Sequence, residues 1–401
     1  MRKLIMTVLA GLIGSAAHAQ ASDPVRIVGA VDLSGAAADV GRDALAGAKF
    51  AVEQINGQGG VLGRKVVLDH QDSGSNPQRA ITQANALLQG GAAFLLAPQS
   101  SATALAVSKA VTARQKVPTC VGTSIIDDLT MKDFNPYVFS VTPTSYMEAY
   151  AQAARFAKMP YKRYALLSAD YAGGRAGVSR FREVLQKLNP QAEIVVEEYP
   201  KFGARDYTAS INKILAAKPD YVFSILFGAD LLTFSRQAGS LGFFKNIDNR
   251  FIALYDFNTL KAMGGSAPIG TEGWQRAPAN YLSEHGDAGR ALVDSYRAKN
   301  GEYPSDWTLM TYDCVMNWAQ AANAAKSIEP DAVMKQIETG EFASSRGGYR
   351  FGAYDHQAEV PVYFGKVAQA DKFGQAVLDI QDVVPGTDIR PDEQTVKSMR
   401  H

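Results

Sequence analysis

Hydroxyl, carboxylate and aromatic side chains recur where short apolar runs stop. Asp32-Leu33-Ser34-Gly35 follows VRIVGAV at 25–31, and Gln71-Asp72-Ser73 follows KVVLD at 65–69. Pro98-Gln99-Ser100-Ser101 follows AAFLLA at 92–97, and Gly122-Thr123-Ser124 follows the run at 117–121. A second set comprises Ala169-Asp170-Tyr171, Gly228-Ala229-Asp230 and Asp256-Phe257-Asn258. Ser and Thr hydroxyls, with the backbone N–H groups of a helix start, cradle a carboxylate without a fixed positive charge. The second set supplies an aromatic face and carboxylates, so the two together suit a small zwitterion, anion on one and ammonium on the other. Singly, each Ser or Thr reads as a helix N-cap, Asp256 as a cap of the segment after it, and Tyr171 as a half-buried aromatic. The ligand reading comes from their recurrence at corresponding ends of two series.

Patterns for bond-breaking chemistry are missing from the sequence. It has no G-x-S-x-G elbow, no G-x-x-x-x-G-K-[ST] loop and no H-E-x-x-H pair. Gly173-Gly174-Arg175-Ala176-Gly177 is glycine-rich but is not the dinucleotide fingerprint. His70, His285 and His356 are scattered without metal-ligand spacing. His70 with Asp72 reads as a strand-end surface pair. An exported hydrolase built on His70, Asp72 and a strand-end Ser is the enzyme alternative, and no nucleophile–base spacing supports it. No cofactor and no metal are expected. Lys plus Arg number 41 against 40 Asp plus Glu, so no basic excess points to nucleic acid.

Elements that could position these residues follow from periodicity. The runs at 25–31, 65–69, 92–97 and 117–121 read as strands, and 43–56, 78–89 and 102–115 as the helices between them. A second series sets strands at 164–168, 193–199, 221–227 and 251–255 against helices near 174–188, 206–217 and 231–241. Helices at 289–300, 307–325 and 330–339 follow, then strand-like alternation over 349–384. Strand–helix alternation predicts parallel sheets with helices on their faces, and two series of similar size predict two similar α/β lobes. The 401-residue chain opens with Arg2 and Lys3, an apolar stretch at 4–14 and Ala17-His18-Ala19. That is the pattern of an export signal cleaved after Ala19, which predicts a periplasmic location. No later segment reaches about 20 consecutive apolar residues, the length of a membrane span.

Several of these segments, in order, resemble the branched-chain amino acid (leucine/isoleucine/valine-binding) family of periplasmic substrate-binding proteins of ABC transporters. VRIVGAVDLSG at 25–35 and GAKFAVEQINGQGGVLGRKVVLDHQDSGSNPQRA at 47–80 carry the likeness. Pro98-Gln99-Ser100-Ser101, Asp170-Tyr171-Ala172-Gly173-Gly174, Arg205-Asp206-Tyr207 and Lys218-Pro219-Asp220-Tyr221 extend it. The resemblance implies a type I periplasmic binding protein fold, two doubly wound parallel-sheet lobes joined by three crossovers. It implies lobe I over 25–142 and 279–348, and lobe II over 143–278 and 349–390. A small solute would bind between them, and the chain, a monomer, would deliver it to a membrane permease.

Carried over by position, Ser100 or Ser101 and Thr123 or Ser124 would hold an α-carboxylate. Tyr171 would cover the ligand, Phe227 and Gly228 would touch it, and Asp256 would face an α-ammonium. Gln99 and Asp230 are secondary candidates. Where the family commonly has Pro before the first Ser/Thr-Gly, this chain has Asp32-Leu33. The expected ligand is a small, branched-chain-like amino acid. The alternative is an aromatic carboxylate, an amide or urea, held in an aromatic slot of Tyr171, Phe227, Tyr255 and Trp274; a soluble sensory module is a third reading. Cys120 and Cys314 would both fall in lobe I, as a bridge or as two core thiols.

Overall fold

The computed structural model describes residues 23–400. The expected export signal at 1–19 lies outside the described residues. The first sheet contains β1 (Val25–Val31), β2 (Val66–Asp72), β3 (Phe94–Leu96), β4 (Thr119–Val121) and β5 (Val138–Ser140), in the order β2-β1-β3-β4-β5. Every neighbouring pair in it is parallel. Strands β3, β4 and β5 are buried throughout, as expected of strands covered by helices on both faces.

Helix Ala38–Gly57 packs along helix Asp306–Ala325 on one face of this sheet. Their contact needs Gly47: a Cβ there would lie 2.1 Å from the Thr308 carbonyl oxygen, so the helices can approach this closely only over glycine. The first helix begins at Ala38, five residues before the expected start, although Ala37 makes no side-chain cap. Val40 and Gly41 are buried there, which draws the extra turn onto the lobe. Cys120 and Cys314 form a disulfide with Cα atoms 5.7 Å apart, joining β4 to helix Asp306–Ala325.

The second sheet contains β6 (Arg163–Leu167), β7 (Glu193–Glu198), β8 (Tyr221–Ser224), β9 (Phe251–Leu254) and β10 (Glu272–Gln275). A small hairpin, β11 (Phe342–Ser344) with β12 (Gly347–Tyr349), lies apart from it. Strands β13 (Val362–Ala370) and β14 (Gln375–Val384) complete the order β14-β13-β10-β9-β8-β6-β7. Strands β7, β6, β8, β9 and β10 are parallel, and the β13–β14 hairpin adds antiparallel to β10. This is the expected α/β architecture of two lobes with parallel-rich sheets.

The chain passes between the sheets after β5, after β10 and after β12, and buried polar contacts tie these passages together. Asp306 Oδ2 accepts from the amides of Arg276 and Ala277 at 2.7 and 3.0 Å. Arg346 pairs with Asp313 at 3.1 Å with both side chains fully buried, and donates to the Val141 carbonyl at 2.9 Å. Gln357 Nε2 donates to the Thr142 carbonyl at 2.9 Å. Removing one member of such a pair would strand a buried charge, so these contacts fix the joints between the lobes.

Candidate ligand-binding site

Sheet order decides which loops meet. Strands β1, β3 and β4 are neighbours, so the loops at their carboxyl ends bring Asp32, Gln99–Ser101 and Thr123–Ser124 together, where open α/β sheets bind ligands. Asp32 is fully buried and organises this corner. Its carboxylate accepts from the Ser100 amide at 2.8 Å, the Ser75 amide at 3.2 Å and the Ser73 hydroxyl. Its own amide donates to Gln99 Oε1 at 2.7 Å. Gln99 is thereby turned back on the backbone, and its Nε2 donates to the Ala97 carbonyl at 3.2 Å. The Ser100 hydroxyl is engaged with Thr103 Oγ1 at 2.6 Å, and the Thr123 hydroxyl donates to the Gln99 carbonyl at 3.2 Å. Ser101 and Ser124 pair through their hydroxyls at 3.2 Å, which leaves that pair with donor capacity toward the space between the lobes.

Strands β7, β6 and β8 are neighbours too, and their ends supply Phe202, Tyr171 and Phe227. Tyr171 stacks on Phe202 with centroids 5.1 Å apart and meets Phe227 edge-on at 5.8 Å. Burial pushes the Tyr171 phenol well above its ordinary pKa, so it is neutral. Phe227 reaches across to Trp307 at the start of helix Asp306–Ala325, centroids 5.9 Å apart. Gly173 lies against Ser101, whose Oγ would sit 2.6 Å from any Cβ placed there. The lobes are therefore in contact around the site.

A narrow cavity of about 30 Å³ lies between these two faces. Ser100, Ser101, Thr123, Ser124, Tyr171 and Phe227 all line it, and so does Gln99. Ala37, Val40, Ile125, Phe202, Arg276 and Trp307 complete the lining and were not among the expected residues. Arg276 directly follows β10, a strand that the sequence reading did not mark, and Trp307 lies beyond it on the first turn of a long helix. Arg276 is buried and binds Glu148 through two bonds, Nε to Oε1 at 2.5 Å and Nη2 to Oε2 at 2.9 Å. Trp274 Nε1 donates to the same Oε1 at 3.1 Å, and the Arg276 guanidinium lies over the Trp307 ring at 5.0 Å. Burial works against the Arg276 charge, but the Glu148 carboxylate outweighs it and keeps the guanidinium firmly protonated.

Gly228 and Asp256 do not line this pocket. Both belong to a neighbouring cleft of about 330 Å³ that shares Val40 and Trp307 with the pocket and is lined also by Asp39, Asp43 and Asn258. Asp256 leaves β9, one strand further along the sheet than β8, and its carboxylate caps helix Phe257–Met263 by accepting the Thr259 amide at 3.0 Å and the Thr259 hydroxyl. Burial pushes its pKa up to about 6. Asp43 faces it from the other lobe, is also raised to about 6 by burial, and accepts from Asn258 Nδ2 at 3.3 Å. Asp230 is buried elsewhere, taking the Gly203 amide at 3.1 Å and the Tyr207 hydroxyl. Tyr255 and Trp274 are fully buried and absent from the lining, so the aromatic slot is made by Tyr171, Phe202, Phe227 and Trp307 instead. Asp72 is engaged by the amides of Leu33, Ser34 and Gly74 within 3.1 Å, which makes it a turn-holding group.

Two α/β lobes meeting over a shared pocket, each contributing one wall, define a bilobal solute-binding protein. Residues 24–372 match the periplasmic binding protein family, and the chain belongs to that family, whose members are periplasmic. It is 23% identical over 344 residues to the leucine-, isoleucine-, valine-, threonine-, and alanine-binding protein of Pseudomonas aeruginosa, covering 85% of this chain and 89% of that one. The solute binding protein of an ABC transporter from Rhodopseudomonas palustris BisB5, solved in complex with 3,4-dihydroxy benzoic acid, superposes with a TM-score of 0.82 at 19% identity, over 90% of this chain and 98% of that one. The closed leucine-, isoleucine-, valine-, threonine-, and alanine-binding protein of Brucella ovis gives a TM-score of 0.79 at 21% identity, over 92% and 97%.

Proposed function

We propose that this protein is an extracytoplasmic receptor that closes on a small carboxylic acid with a flat, apolar body and presents it to the permease of an ABC importer. One observation carries the ligand class: hydroxyl groups line one wall of the pocket, with donor capacity left at the Ser101–Ser124 pair, and aromatic rings the other, with no Asp or Glu among the lining residues. The carboxylate would be held at Ser100–Ser101 and Thr123–Ser124, and the body would lie among Tyr171, Phe202, Phe227 and Trp307. Because such a ligand touches both lobes only when they are shut, binding shifts the population to the closed state. In this reading residues 25–142 with 279–348 form one lobe and 143–278 with 349–390 the other. The mature chain starts after Ala19 and works as a monomer. The R. palustris protein solved with an aromatic acid is consistent with this ligand class.

A second reading, a branched-chain-like amino acid, is favoured by Asp256, buried in the adjoining cleft, and by what the P. aeruginosa and B. ovis relatives bind. Thermal melts of refolded mature protein separate the two. A ligand at 100 times its dissociation constant adds about 2.7 kcal/mol. A shift with benzoate-type acids supports the first reading and a shift with aliphatic amino acids alone the second. No shift with either class removes both.

A further inference from the structure

Gly173 is the second residue of helix Ala172–Leu188, which follows β6 in the second lobe. A Cβ built there would lie 2.6 Å from Ser101 Oγ and 3.0 Å from Ile125 Cγ1, both in the first lobe, and 3.0 Å from Tyr171 Cε2 in its own. Its backbone is helical and its φ is not positive, so the local conformation gives no reason for glycine, and Ala is the better helix former. The reason lies in the contact. Gly174 differs, since a Cβ there would meet only its own lobe, at Ser168, Tyr171 and the Ala169 carbonyl. The Gly173 contact lies beside the first passage between the sheets. Ser145, just past that passage, donates its hydroxyl to the Ile125 carbonyl at 2.8 Å and lies 3.5 Å from the Gly173 carbonyl. Ser101 is buried and its hydroxyl is paired with Ser124, so it yields to a new side chain only by giving up that bond. Gly173 itself does not line the pocket.

We propose that Gly173 is the stop on which the lobes close, a positioning residue that sets the closure angle and, through it, the affinity for ligand. This rests on the closing-receptor reading above. Beside a hinge the lever arm is short, so a small thickening there becomes a wider gap farther from the passage. A side chain at 173 would halt closure before ligand could touch both walls, and the closed state would lose the contacts that favour it. The open form makes no such contact, so folding should not suffer.

The test is Gly173→Ala, titrated by calorimetry with benzoate and with L-leucine, and measured by small-angle X-ray scattering with and without each. The intact protein should contract on adding whichever probe it binds. The ligand-free variant should melt no lower than the intact protein, bind that probe about tenfold or more weakly, the scale of an overpacked contact, and contract less at saturation. Ser101→Ala removes the oxygen that the new methyl would meet. Although it weakens binding by itself, Gly173→Ala should cost about threefold less affinity in that background than in the intact protein. A folded Gly173→Ala protein that binds and contracts like the intact one overturns the proposal. So does weaker binding with full contraction and no coupling to Ser101, the result of a methyl that acts on Tyr171 alone. A variant that fails to fold overturns it too, because the contact would then belong to the fold and not to closure. If the intact protein binds neither probe, or binds one without contracting, the closing-receptor reading fails and takes this proposal along.

Discussion

Asp32 Oδ2 accepts the amide of Ser100 at 2.8 Å, so a fully buried acid at the end of β1 holds the loop that opens the donor wall at the end of β3. Asp32 has the Ser73 hydroxyl and the Ser75 amide as further donors, and among the described residues no Lys or Arg is hydrogen-bonded to it. Its carboxyl oxygens are held by directed N–H and O–H groups, in the manner of a capped turn.

Asp32→Ala should therefore destabilise the chain by about 1–3 kcal/mol, the cost of stranded buried donors, and weaken carboxylate binding as well. Asp32→Asn, which keeps an acceptor oxygen at the same reach, should recover part of both. Denaturant melts with calorimetry on the two variants check this; ligand affinity untouched in a folded Asp32→Ala protein would argue against the positioning role.

Asp256 caps helix Phe257–Met263 and lines the cleft that adjoins the pocket. Its replacement by Ala should cost about 1 kcal/mol of stability, as loss of an N-cap does. Affinity for an arylcarboxylate should stay within a factor of about three, a difference below 1 kcal/mol. A loss of binding well beyond that would show that Asp256 reaches the ligand.

Asp43 and Asp256 face each other across the lobe boundary, both with pKa values raised to about 6 chiefly by burial. Ser305, Asn258 and Glu302 also bear on Asp43, and Thr259, Asp306 and the Asn258 amide on Asp256. An unfolded Asp titrates near 4, so the folded, closed form binds protons more tightly than the unfolded one. The contribution of this pair is complete below about pH 4 and is lost as pH rises through about 6. Melting temperature should accordingly fall across that window, and Asp43→Asn should flatten the slope. A pH series of melts on both proteins, at fixed ionic strength, decides it; an unchanged slope counts against the pair.

The Cys120–Cys314 disulfide spans 194 residues and binds the early part of the first lobe to the helix that returns to it after β10 of the second sheet. Replacing both cysteines by Ser should lower stability by about 2–4 kcal/mol. Binding should weaken less, since neither sulfur lines the pocket. Urea unfolding of the double variant, with and without ligand, measures the two effects separately.

The α/β alternation was legible because buried strands such as VRIVGAV and FIALY stand out as apolar runs between helical periods. Ser101, Ser124, Tyr171 and Phe227 were legible because strand ends are where such sheets expose their loops, whatever the strand order. Arg276 and Trp307 were hidden, since one directly follows β10, a strand not marked in the sequence, and the other sits on the first turn of a long helix, with no local pattern to mark them. Asp256 carried the right residue type at a strand end, but that signal is shared by helix caps and ligand groups alike.

Local sequence thus determined the elements, the two lobes and the hydroxyl-rich and aromatic walls, because periodicity and strand ends are short-range properties. Tertiary structure alone decided that Asp256, at the end of β9, caps a helix and lines the cleft that adjoins the pocket. It also decided that Trp307 borders both cavities, that Glu148 neutralises Arg276, and that Cys120 meets Cys314. Each of these depends on which distant segments the sheet order and the three passages bring within a few ångströms, and no run of neighbouring residues encodes that.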